Sequence, residues 1–187
     1  MVVAVAIGEL GKALGFTLEQ IDRLCRAAIV HDWRKRLDKA PQDFTDAERN
    51  LVEEEYKKLD NDKFLDPVMA PEQLEREFIK DEATFAERLL LYVDSLCHNS
   101  DIVPFAERLD KAAASPNWKW LADNIGWKEK VRPILGESAN YFDAQKIQES
   151  RIQQIIFERL RERGWWIEIS DDVPSFIKSL IEKNYKV

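Results

Sequence analysis

Val3, Ala6, Ile7, Leu10, Ala13 and Leu14 recur at three- and four-residue spacing and predict a helix over 2–14, with Gly15 as its stop. That helix begins on apolar residues with no capping side chain. The next has a full start signal: Thr17 and Gln20 form a T-x-x-Q capping box, and Phe16 and Ile21 are placed as a hydrophobic staple. Its apolar stripe runs through Ile21, Leu24, Cys25 and Ala28, and one further turn reaches His31 and Asp32. Lys35 follows on the same face if the helix persists, while Trp33 and Arg34 project elsewhere. Pro41 closes this region.

Thr45 and Glu48 make another capping box, opening a charged helix over 46–59 whose apolar positions are few: Leu51, Val52, Tyr56 and Leu59. This predicts a peripheral helix with Glu53, Glu54 and Glu55 on a solvated face. Asp60-Asn61-Asp62 and Asp66-Pro67 read as a loop, and Pro71 suits a first helical position. Leu74, Phe78, Phe85, Leu89, Tyr92, Val93 and Leu96 then predict one long helix or two nearly collinear ones, ended by Asn99-Ser100. Pro104 starts another helix bearing Phe105, Leu109 and Ala112, up to the break at Ser115-Pro116.

Beyond Pro116 the composition changes. Trp118, Trp120 and Trp127 crowd a region in which a short helix or two is expected, their rings suited to core or interface packing. Residues 143–163 predict an amphipathic helix through Ile147, Ile152, Ile155, Ile156 and Leu160, stopped by Gly164. Trp165 to Ile169 suits a short extended segment, and 174–185 a last helix through Phe176, Ile177, Leu180, Ile181 and Tyr185. The pattern is that of an all-α chain.

Composition narrows the class. With 187 residues, 45% hydrophobic and 34% charged, the chain is long and apolar enough for one sizeable core. A net charge of −7 gives no general basic field for a phosphate backbone, which argues against a dedicated nucleic-acid binder; a small phosphorylated molecule needs only a local basic pocket. Cys25 and Cys97 are isolated and read as reduced core residues. The opening apolar run has no basic flank and is interrupted by Glu9, and no segment reaches the ~18 apolar residues of a membrane span, so a cytoplasmic protein is expected.

The candidate chemistry lies in Val30-His31-Asp32-Trp33-Arg34-Lys35 and in Leu91-Tyr92-Val93-Asp94-Ser95-Leu96. An unpaired carboxylate within the second run is costly to bury, so Asp94 calls for a cation. A His-Asp pair and a carboxylate from another helix can hold Mn²⁺, Fe, Co²⁺, Zn²⁺ or Mg²⁺ with positions left open for water and phosphate. Such a cation offsets charge on phosphoryl oxygens and acidifies bound water.

Ala27-Ala28-Ile29-Val30-His31-Asp32-Trp33-Arg34-Lys35 resembles the HD segment of the HD-domain superfamily of metal-dependent phosphohydrolases. Leu91 to Leu96, followed by Ile102 to Leu109, is similar to that family's second segment, in the same order and at a similar separation. The resemblance covers about residues 2–115. It implies an all-α HD-domain-like bundle of five or more helices over 1–115, with 116–187 as a C-terminal helical extension packed on that core. It also implies His31, Asp32 and Asp94 as metal ligands, Asp32 as the residue orienting the attacking water, Lys35 beside a substrate phosphate, and a structural Arg108.

The family's first histidine has no counterpart before His31. Counting back from Ala13-Leu14-Gly15-Phe16 puts it at or just before Met1, so either the protein extends upstream of Met1 or the ligand is lost. The cap-less first helix favours extension. His98, one turn beyond Asp94, is a third possibility if its helix persists. Two functions follow: hydrolysis of a small phosphate ester such as a nucleotide, or a catalytically degenerate module that binds a nucleotide or a protein partner. For Lys35 and Arg36 the competing role is a charged helix end facing the C-terminal dipole.

Overall fold

Gly15 closes the first helix as the sequence leads one to expect. Its φ of 72° lies in the left-handed region, the Gly15 N–H donates to Lys12 O, and the Phe16 N–H donates to Gly11 O at 3.0 Å, a Schellman closure. The computed structural model describes residues 2–60 and 73–185, except for the side chains of Lys35, Asp38, Lys39 and Asp60. The expected start at Pro71 and most of the loop before it lie outside the described residues.

Helices α1 (Val2–Ala13) and α2 (Leu18–Lys39) pack antiparallel. A Cβ on Gly11 would lie 3.3 Å from Ile21 Cγ1 and one on Gly8 3.1 Å from Cys25 Sγ, so the two glycines let the helices approach closely. Cys25 Sγ donates to Ala4 O at 3.3 Å. The Thr17–Gln20 capping box forms in both directions. Helix α3 (Asp46–Asp60) opens on the Thr45–Glu48 box and buries Val52 and Leu59. Its glutamates are not simply solvated: Arg26 bonds Glu55 at 2.6 Å and Arg34 bonds Glu53, tying α3 to α2.

The run from Leu74 to Leu96 is two elements. A π-helical turn (Glu75–Ile79) is followed by Asp81 with φ 54°, and α4 (Phe85–Leu96) starts afresh on a Thr84–Glu87 capping box. Helix α4 ends at Leu96. Beyond it β1 (Cys97–His98) pairs antiparallel with β2 (Asp101–Ile102) across a turn whose Asn99 has φ 56°. His98 therefore does not continue the helical face of Asp94.

Helix α5 (Phe105–Ala114), the short α6 (Lys119–Ala122) and α7 (Ile125–Leu135) lead to the long α8 (Tyr141–Glu162), and α9 (Val173–Asn184) closes the described chain. Residues 165–169 adopt no strand. Trp127 is buried edge-on to Tyr141, whereas Trp118 and Trp120 are partly exposed.

The protein is all-α apart from the two-stranded turn. Among the described residues no helix is long and apolar enough to cross a membrane. Helices α4 and α8 run antiparallel: Arg159 lies over the Phe85 ring at one end, Tyr92 donates to Gln153 at the middle, and Ser95 donates to Glu149 at the other. Ile152, Ile156 and Leu160 join Leu10, Leu24, Leu89 and Tyr92 in one hydrophobic cluster, so residues on both sides of position 115 share a core. Ile155, expected inside, faces out.

Candidate functional site

Because α2 continues unbroken through residue 39, His31 and Asp32 occupy successive positions on a helix whose preceding turns, at Ala27, Ala28 and Val30, are buried. His31 is itself buried. Asp32 is half-buried and lines a cavity of about 340 Å³. Asp94, also half-buried, lines the same cavity from α4. The sequence-predicted carboxylates are therefore brought together by two helices far apart in the chain. His31 is not among the cavity-lining residues, and the Lys35 side chain is outside the described residues.

The cavity lies at the end of the bundle where the start of α1, the end of α4 and the start of α8 meet. Val2, Val3, Leu91 and Leu109 supply apolar wall, Ser95, Asn99 and Gln145 polar groups, and Trp118, Tyr141 and Phe142 aromatic surface. Among the described residues its cation is Arg108 from α5, whose Nη1 is buried and has no hydrogen-bond partner among them. Cys97, at the end of α4, has its thiol pushed up to about 12, first by burial, then by Asp94 and more weakly by Asp32, with Arg108 acting the other way. These three charges therefore act on one thiol, which places them around the same space.

Behind the cavity wall lies a buried polar seam. Glu149 Oε1 accepts from Ser95 Oγ at 2.7 Å and from Gln145 Nε2 at 3.4 Å, and Oε2 is buried without a hydrogen-bond partner among the described residues. Burial pushes the Glu149 carboxyl up to about 8, opposed by the Ser95 bond and reinforced by Glu77 and Asp94. Glu77 is raised by burial to about 7, against hydrogen bonds from Gln73 and Gln148. Glu149 therefore favours the protonated form near neutrality, and Glu77 is shared between its two forms there.

A second pocket of about 280 Å³ adjoins the first and shares Arg108, Ala112 and Trp118 with it. His98, expected as a possible substitute ligand, is exposed and lines this pocket instead.

A divalent cation suits this donor chemistry only in part. Two carboxylates on one cavity are hard oxygen donors of the kind that hold Mg²⁺ together with water and a substrate's phosphate. Among the described residues no group of three or more His, Cys, Asp or Glu is arranged to hold a metal. Comparison with protein-family models, with curated proteins and with solved structures gives no match.

The sequence marks Arg108 only as a structural residue and Trp118 only as a packing one, and it gives no role to Gln145, Tyr141 or Phe142, all of which line the cavity. Arg108 lies in an ordinary charged helix, and the wall comes from the segment after residue 115. The available signal was Gln145, Gln148, Glu149 and Gln153, a polar stripe in phase with buried Ile152 and Ile156.

Proposed function

We propose that the chain is a metal-dependent phosphohydrolase of the HD type acting on a small phosphate ester such as a nucleotide. The observation that carries this is the placement of Asp32 and Asp94, from separate helices, on one 340 Å³ cavity with Arg108. That volume lies in the range of small-molecule sites. Asp32 and Asp94 supply carboxylates for the cation, and His31, next to Asp32 in the chain, is the third donor implied by the resemblance. When bound, the cation would offset phosphoryl charge and acidify a water.

Asp32 accepts the hydrogen bond that orients the water for attack at phosphorus. The guanidinium of Arg108 pairs with phosphoryl oxygens, a geometry its planar fork suits. Leu109, Phe142 and Tyr141 keep the walls dry enough to strengthen these charges. The net change adds water across the ester: hydroxyl to phosphorus, and a proton to the departing alcohol oxygen.

Calorimetric titration with Mg²⁺ and Mn²⁺, paired with hydrolysis of p-nitrophenyl phosphate, tests this. Asp94→Asn and Asp32→Asn are expected to weaken metal binding and lower turnover by at least about tenfold each while leaving the melting temperature close to wild type. Metal binding that is absent, or indifferent to Asp94→Asn, would defeat the proposal. A second reading, a module that binds a phosphate ester without turning it over, is favoured by the unpartnered Arg108 Nη1 and the aromatic wall. Ester binding without metal and without hydrolysis is its signature.

A further inference from the structure

Arg108 stands in the wall between two unlike pockets. On one side are the carboxylates Asp32 and Asp94; on the other Lys111 and His98. In a chain of net charge −7, this second side gathers three basic residues, Arg108, Lys111 and His98, with Glu107 as its acid. Lys111 bonds Glu107 at 2.6 Å, but both side chains are more than half exposed and one helical turn apart, a pairing of little strength that a multivalent anion can displace. The buried Nη1 of Arg108 has a donor to offer and no acceptor within the described protein. Ser115 adds a hydroxyl and Trp118 forms the wall common to both pockets.

One phosphoryl group does not use both sides. We infer that the second pocket is a subsite for a further phosphoryl group, so that the combined site takes a condensed phosphate, a small molecule carrying two or more linked phosphoryl groups. Arg108 contacts the linked phosphates from between the pockets, and Lys111 holds the distal one after leaving Glu107. Trp118 packs against the ligand where the pockets join. This rests on the proposed function only for what occupies the Asp32–Asp94 side; the basic side is filled by charge complementarity alone.

Inorganic diphosphate and inorganic phosphate are the probes, titrated calorimetrically into the whole chain at low salt with chelator present. Diphosphate is expected to bind at least about tenfold more tightly than phosphate, since the second charge finds its own cations. Lys111→Gln should bring diphosphate down to the level of phosphate. Lys111 is an exposed residue, so its loss should not disturb folding, and Arg108→Gln serves as a second variant checked by its melting curve.

Equal affinity for the two anions, or a Lys111→Gln variant that binds diphosphate as the wild type does, would overturn the inference. A parallel metal titration without anion separates the two proposals. Diphosphate preference without metal binding sustains the subsite and sinks the metal site; metal binding lost in Asp94→Asn without diphosphate preference does the reverse.

Discussion

Glu149 sits fully buried on α8 between turns that carry Gln145 and Gln153, and its protonation follows from that placement. An ordinary carboxyl titrates near 4.5, whereas burial lifts this one to about 8. As pH rises the unfolded chain gives up this proton first, so the contribution is fully present below pH 4.5 and is lost progressively as pH rises to about 8. Glu149→Gln keeps an acceptor for Ser95 and removes the titration. The variant's melting temperature, relative to wild type, should rise between pH 5 and pH 9, reaching a gain of about 1 kcal/mol or more at the alkaline end. A difference that stays flat across that range would show that Glu149 is not held protonated. At this scale the sequence exposed Asp32 and Asp94 because a carboxylate flanked by apolar residues is conspicuous. It concealed Glu149, which stands among other polar and charged residues and owes its environment to Ser95, 54 positions away, and it showed Arg108 only as a structural residue.

Helix boundaries were most readable where side chains announce them. Thr17–Gln20 and Thr45–Glu48 form the boxes their spacing predicts, and Gly15 and Gly164 take positive φ at helix ends. The break before α4 carries the same kind of signal in Thr84 and Glu87, yet the apolar period runs straight across it from Leu74 to Leu96. Periodicity reports which face is buried, not whether the backbone between two turns stays helical. The Thr84 box also does more than start a helix: Glu87 is buried, takes a 2.8 Å ion pair from Arg76, and its carbonyl accepts from Gln73. Thr84→Ala should therefore cost about 1–2 kcal/mol in urea unfolding, against about 0.5 kcal/mol for the exposed Thr17→Ala. Equal losses would mean that the Glu87 surroundings add nothing to the cap.

Across the whole molecule, the all-α class and most helix spans were legible, because amphipathic periodicity is a local property of the chain. The cavity was only half legible. Its acidic wall came from the segments on which the HD resemblance rests, but Trp118, Tyr141, Phe142 and Gln145 enter from beyond residue 115, where no motif pointed to a site. Val2 and Val3 close it from the other end of the chain. No contiguous piece of sequence holds this space, so it exists only when every part is folded. Whatever fills it must then shift the unfolding equilibrium itself: a compound present at a hundred times its dissociation constant adds about 2.7 kcal/mol, or roughly 5–10 °C in melting temperature for a chain of this size. A panel of phosphate compounds, with and without divalent metal, can accordingly be ranked by heat alone, and an Asp94→Asn variant that loses only the metal-dependent shifts would tell which wall each compound uses.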